Sequence, residues 1–178
     1  CGWPILSEPS ANLHDAPTAL GHGVLVLAAE SFVADHRPEV VLTIGSFGLS
    51  RSTLDPVRGA DRHVAIDLPT LGREVCDPLR TAEVVLTGIP LPPAAFAPDP
   101  TWLAAWQEAD EVAGDVAAQV LADAPLSGSA LAAQLWELAP EDALLLVAAS
   151  WPVRQVEAFA GRRRGLRVIG NRGANGID

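Results

Sequence analysis

The 178-residue chain has no methionine or tyrosine, no lysine, and only two cysteines, Cys1 and Cys76. Two thiols are too few for a disulfide framework or a cysteine zinc site, so a reducing cytoplasm is the expected setting. All 12 basic residues are arginine, set against 22 acidic residues. The net charge of −10 argues against a broad electrostatic grip on nucleic-acid phosphates. Long apolar runs are absent as well. The strongest, Leu144 to Ala149, is far short of the ~20 residues that span a bilayer, and no basic-then-apolar signal opens the chain. These absences predict a soluble cytoplasmic protein with no nucleic-acid and no membrane partner. Charged residues reach only 19%, below the ~25% of an average domain, and apolar residues 49%. That composition suits a core-rich fold of one domain, or one and a fraction. The missing methionine, and a final Gly/Asn-rich stretch with no closing element, read as an internal segment of a longer protein.

Short β-branched runs bounded by Gly and Pro alternate with longer helical patterns, as in βα units around a parallel sheet. The patterns predict strands at 4–7, 40–45, 63–67, 83–88, 144–149 and 167–170. The continuous runs Val40–Ile44 and Leu144–Ala149 read as central strands covered on both faces. Helices are predicted at 17–36, 49–59, 101–123, 127–139 and 152–161. In the third, Trp102, Trp106, Ala109, Val112, Val116 and Val120 recur at helical spacing, which predicts a buried apolar stripe, with Glu108, Asp110, Glu111 and Asp115 on its flanks and far side. The five prolines from Pro90 to Pro100 predict an extended crossover.

Two strand-to-helix junctions stand out. In an open parallel sheet, ligands bind beyond the carboxyl ends of the strands, where helix N-termini present free N–H groups. At the first junction, strand 144–149 runs into Ser150-Trp151-Pro152-Val153-Arg154. Ser150 suits an N-cap, Pro152 fits a first turn, and Arg154 lies four residues on from Ser150, on the same helix face. The pattern fits an anion site, and equally a plain capped helix with an exposed arginine. The second junction, Gly45-Ser46-Phe47-Gly48-Leu49-Ser50-Arg51, again places an arginine after a strand. It lacks the GxGxxG spacing of a dinucleotide site and reads on pattern alone as a tight turn. His14, His22, His36 and His63 are scattered without metal-ligand spacing and are expected to face solvent or cap helices. Arg162-Arg163-Arg164 reads as a cationic helix end.

Four of these segments resemble one family. Ser150-Trp151-Pro152-Val153-Arg154 is similar to the S-x-P-V-R signature of the MenD synthases. Asn171-Arg172-Gly173-Ala174-Asn175-Gly176-Ile177-Asp178 is similar to their N-R-G-A-x-G-I-D. Gly2-Trp3-Pro4-Ile5-Leu6-Ser7-Glu8-Pro9 resembles the opening of their central domain, and Gly45 to Arg51 their G-x-x-x-x-S-K turn. The resemblance implies α/β architecture: a Rossmann-like three-layer sandwich with a mostly parallel six-stranded sheet, the central domain of a thiamine-diphosphate enzyme. Residues 1–170 would form that domain and 171–178 would open the diphosphate-binding domain.

Members of this family are 2-succinyl-5-enolpyruvyl-6-hydroxy-3-cyclohexene-1-carboxylate synthases of menaquinone biosynthesis. They decarboxylate 2-oxoglutarate and add the succinyl unit to isochorismate. The resemblance implies a homo-oligomeric parent, a dimer or tetramer, that uses thiamine diphosphate and Mg²⁺. Their principal ligands would lie outside this chain, which has neither a G-D-G…N motif nor an activating amino-terminal Glu. This segment alone is expected to bind neither cofactor and to be inactive. By resemblance, Ser150 and Arg154 would hold the carboxylate of the succinyl unit and Arg172 would help bind the second acid. Arg51 stands where the family commonly has Lys, replacing a point charge by a planar fork. The alternative is a non-catalytic regulatory module whose arginines recruit an acidic effector or a nucleotide. An acetolactate-synthase-like central domain is disfavoured by the N-R-G-A-x-G-I-D run.

Overall fold

A computed structural model describes residues 2–67, 77–88, 99–124 and 126–171. The chain divides into two compact units, one within 27–97 and the other within 2–26 and 98–178.

The first unit opens with helix α2 (Glu30–Asp35), which follows α1 (Gly23–Val26) of the other unit in the chain. It continues through β1 (Val40–Ile44), a 3₁₀ turn (Arg51–Thr53), α3 (Leu54–Gly59), β2 (Arg62–Ile66) and β3 (Val84–Leu86). The strands form a parallel sheet in the order β1-β2-β3. Val40 lies opposite Arg62, Ile44 opposite Ile66, and Val64 opposite Val84. Parallel neighbours cannot be joined by a tight hairpin, so β1 and β2 are linked through a crossover that carries α3. Leu27, Leu49, Val57, Ala65 and Ile66 are buried apolar residues of this unit.

Predicted helix 49–59 is shorter than expected. Ser50 is extended, and the α-helix begins only at Leu54. The expectation that β1 is covered on both faces also fails, because Thr43 is buried whereas Val40, Leu42 and Ile44 are exposed.

The second unit holds a 3₁₀ turn (Pro9–Ala11), α1 (Gly23–Val26), α4 (Pro100–Ala122), α5 (Gly128–Leu138), β4 (Leu144–Val147), α6 (Trp151–Phe159) and β5 (Arg167–Gly170). β4 and β5 pair in parallel, Leu144 opposite Arg167 through Val147 opposite Gly170. Helices α5 and α6 pack together, as do α1 and α4. Trp106, Trp136, Val153, Val156, Leu166 and Val168 are buried here. Asn12, in a left-handed conformation at φ 54°, stands in for a strand at β5. Its amide donates to the Val168 carbonyl at 3.1 Å and accepts the Val168 N–H at 2.7 Å. A side chain thereby satisfies backbone groups that a neighbouring strand would otherwise pair.

Both long helices begin as the residue types dictate. Asp99 caps α4, accepting the Thr101 N–H at 2.9 Å, and Ser127 caps α5, accepting the Ala130 N–H at 3.1 Å. The Thr101 hydroxyl and then its amide hold the Asp99 carboxyl below the usual carboxylate value. At the other end of α5, the Arg163 guanidinium donates to the carbonyls of Trp136 and Ala139. Arg163 thus offsets a helix C-terminus as expected of the triple-arginine run, but that of α5.

Further sequence expectations are corrected. The predicted strand 4–7 is reduced to a single parallel bridge between Ile5 and Ala19, since Pro4 has no N–H to donate to a ladder. The predicted helix 17–36 is consequently broken. The Ile5 N–H donates to the Thr18 carbonyl and the Leu20 N–H to the Ile5 carbonyl, leaving only the short helices α1 and α2. In place of a six-stranded sheet, the described residues form one three-stranded and one two-stranded parallel sheet. In α4, Trp106, Asp110 and Ala117 are buried, while Val112, Val116 and Val120 are exposed. On that buried side the Asp110 carboxylate accepts the N–H groups of Gly21 and His22.

β4 likewise departs from the expectation of two covered faces. Val147 is buried, whereas Leu144 and Leu146 are exposed, the latter by 71%. Of the predicted 90–100 crossover, only Asp99 and Pro100 lie within the described residues. Among the described residues no helix is long and apolar enough to cross a membrane.

Candidate functional site

The junction between β4 and α6 is built from three segments. β4 ends at Val147, and Pro152 occupies the first turn of α6. Between them Ser150 adopts φ 72°, ψ −126°, a conformation that L-residues rarely occupy. Asn171, just beyond β5, extends the ladder. Its N–H donates to the Val147 carbonyl at 3.4 Å, and its side-chain Oδ1 accepts the Ala149 N–H at 2.6 Å.

Arg154 then curls back along the helix and donates from Nη1 to the Ser150 carbonyl at 2.7 Å. Val153, Val156 and Glu157 form the buried side of α6, whereas Ser150, Trp151 and Arg154 are exposed. The junction therefore offers water an arginine fork held at one corner and a hydroxyl free of capping duty.

That last point corrects the expectation of a serine cap. The Ser150 hydroxyl makes no bond to the first-turn N–H groups. The extended backbone that aims a capping side chain is absent, and Pro152 has removed one of the donors. Arg154 and Ser150 are nonetheless brought together as their spacing predicts.

The turn after β1 is of another kind. Gly45 and Gly48 sit at φ 68° and 103°, where side chains are strained, so the Gly spacing serves the turn. Arg51 is exposed at the start of the 3₁₀ turn. It belongs to the first unit and Ser150 and Arg154 to the second. Arg172, with the rest of 172–178, lies outside the described residues.

His63 neither faces solvent nor caps a helix, whereas His14, His22 and His36 are half-buried. His63 is 3% exposed. Its Nε2 meets the Thr43 hydroxyl at 2.9 Å and its Nδ1 the Thr81 hydroxyl at 2.8 Å. Both ring nitrogens thus have a hydroxyl partner, and a hydroxyl can donate or accept. Near it, burial pushes the Asp77 carboxyl up. The Ala82 amide, the His63 ring and the Arg80 and Leu79 amides outweigh burial and hold it below the ordinary value.

In the second unit His22 Nδ1 lies 3.0 Å from the Ala158 carbonyl, and His14 Nε2 lies 2.9 Å from that of Leu166. His14 also packs edge-on against Trp136 at 4.9 Å. His36 does cap, at the end of α2. Among the described residues no group of three or more His, Cys, Asp or Glu is gathered as a cation's ligands would be.

A shallow cavity of about 490 Å³ in the second unit is lined by Gly21, His22, Asp110, Glu111, Gly114, Asp115 and Arg162. Three carboxylates against one guanidinium make it a poor match for an acidic effector. Asp110 is already engaged: at 8% exposure it accepts the Gly21 N–H at 2.8 Å and the His22 N–H at 2.7 Å. Sequence patterning had placed it on a helix flank.

Neither Asn171 nor Asp110 was singled out by spacing. Their partners lie 22 and 88 residues away, beyond any local pattern. The Asn171 signal was its place in the N-R-G-A run beside Arg172.

No protein-family model matches the chain. It is 42% identical over 178 residues to the 2-succinyl-5-enolpyruvyl-6-hydroxy-3-cyclohexene-1-carboxylate synthase of Thermobifida fusca, covering 99% of this chain and 31% of that protein. It is 32% identical over 179 residues to the synthase of the same name from Saccharopolyspora erythraea, with the same coverage. The Chloroflexus aurantiacus synthase is 29% identical over 204 residues. The chain thus spans about 31% of the length of the first two relatives. From near its first residue to near its last, the chain is a segment of the MenD synthase family.

Proposed function

We propose that this chain is the central segment of a thiamine-diphosphate-dependent synthase of menaquinone biosynthesis, which decarboxylates 2-oxoglutarate and adds the succinyl unit to isochorismate. Its contribution is to bind and orient organic acids. Thiamine diphosphate, when bound, supplies the carbanion chemistry, and the protein's share is placement and electrostatics. We assign no residue of this segment to Mg²⁺ or to the diphosphate, because its sequence carries neither a G-D-G…N motif nor an activating amino-terminal Glu.

Ser150 and Arg154 bind the carboxylate of the succinyl donor, and Arg172 assists the second acid substrate. Arg51 is assigned to substrate binding as well, with a fork geometry that departs from the family's usual lysine. Residues 171–178 open the next domain, and the parent enzyme is a cytoplasmic homo-oligomer. The observation that carries this reading is the Ser150–Arg154 pair. The two are drawn together at 2.7 Å beyond the carboxyl end of a parallel strand, in a chain alignable over 99% of its length with named synthases.

The test is Arg154→Ala in the full-length synthase. Loss of a charge-assisted hydrogen bond costs about 1.5–3 kcal/mol, so kcat/KM for 2-oxoglutarate should fall at least about tenfold while the fold is retained. Unchanged kinetics with 2-oxoglutarate would reject the assignment. The isolated 178-residue chain, given thiamine diphosphate and Mg²⁺, should release no carbon dioxide from 2-oxoglutarate, and detectable release would overturn the division of labour.

A further inference from the structure

Asn171 has no part in the reading above, yet its side chain joins the two strand ends that frame the junction. We propose that Asn171 is a positioning residue for the Ser150/Arg154 carboxylate site, acting through the backbone without touching substrate. The inference rests on the assignment of that site.

The last paired residues of the β4–β5 ladder are Val147 and Gly170. One residue further, Asn171 binds both ways, its N–H to the Val147 carbonyl and its Oδ1 to the Ala149 N–H at 2.6 Å. Ala149 directly precedes Ser150, whose φ of 72° is sustained only if neighbouring contacts over-determine it. Asn171 fixes the peptide chain on the amino side of Ser150. Arg154 fixes it on the carboxyl side, through the Ser150 carbonyl.

Without the Asn171 oxygen, Ala149 and Ser150 relax toward ordinary backbone angles. The Ser150 carbonyl then swings away from Arg154, and the guanidinium loses the acceptor that aims it. Charge is conserved while direction is lost. The signature is weaker ground-state binding of 2-oxoglutarate, with less effect on the steps that follow.

The experiment compares Asn171→Ala, Asn171→Thr and Arg154→Ala in the full-length synthase, together with amide hydrogen exchange at Ala149. Asn171→Thr suits a strand end but lacks the reach to Ala149, so it gives a second loss variant should Asn171→Ala fold poorly. Both Asn171 variants should raise KM for 2-oxoglutarate about tenfold, change kcat less than about threefold, and speed exchange at Ala149. Asn171→Asp, which retains an acceptor oxygen, should restore the slow exchange.

Wild-type KM in both loss variants, with Arg154→Ala impaired, overturns the role of Asn171 alone. A raised KM with Ala149 still protected also overturns it, since the amide would then be touching substrate. A wild-type response in Arg154→Ala instead overturns the site on which the inference rests.

Discussion

The Asp110 carboxylate accepts the His22 backbone N–H at 2.7 Å, tying the middle of α4 to a turn 88 residues earlier in the chain. Its second oxygen takes the Gly21 N–H at 2.8 Å. Asp110→Ala would leave two donors without a partner in a part-buried position, each costing about 1–3 kcal/mol. The variant should lose about 2–4 kcal/mol of stability in urea denaturation, and Asp110→Asn, which keeps one acceptor oxygen, roughly half of that. A loss below about 0.5 kcal/mol for Asp110→Ala, the scale of an ordinary surface change, would show that the carboxylate is dispensable.

Gly114 sits one turn further along the same helix, where alanine ordinarily stabilises by about 1 kcal/mol. Here a Cβ would fall 2.9 Å from His22 Cδ2 and 3.0 Å from its Nε2, and the ring is anchored through Nδ1 at the Ala158 carbonyl. Crowding wins, so Gly114→Ala should destabilise by about 1–3 kcal/mol. With His22→Ala already in place the sign should reverse, to a gain of about 0.5–1 kcal/mol. Thermal unfolding of the four proteins of this cycle decides it, and the same sign in both backgrounds would contradict the packing account.

Asp77 supplies a pH dependence with a definite sign. Its folded-state carboxyl is held below the ordinary value of about 3.9. Its contribution to stability is therefore complete above that value and declines as the pH falls through the lower folded-state value. Asp77→Asn should be less stable than the parent at pH 6, and the gap should narrow as the pH falls below about 4. Denaturation curves collected across that range check it. A gap that widens on acidification would mean that burial, and not hydrogen bonding, governs this carboxyl.

Much of the fold is legible from local pattern because β-branched runs and capped helices are local objects. β5 occupies the predicted 167–170, and α4 and α5 differ from expectation by one residue at each end. What was not legible depended on partners remote in the chain. The helix expected at 17–36 gave way because Ile5 claims the backbone on either side of Ala19. The buried side of α4 was misjudged because Asp110 pairs with the N–H groups of Gly21 and His22, which local spacing cannot bring to it. At the site, Arg154 and Ser150 could be paired from an i, i+4 spacing, but Asn171 could not, since its partners Val147 and Ala149 lie more than twenty residues away and meet it only through strand pairing. Ser150 itself was misread as a cap because backbone angles, which decide capping, leave no trace in residue type.

The imidazole of His63 bridges β1 and the segment leading into β3 through Thr43 and Thr81. Side chains alternate between the faces of a sheet, so sliding β2 by a single residue would carry that ring to the opposite face. Both threonine hydroxyls would then be stranded. The ring therefore acts as a ruler: an aliphatic sequence that could pair in several offsets is held to one.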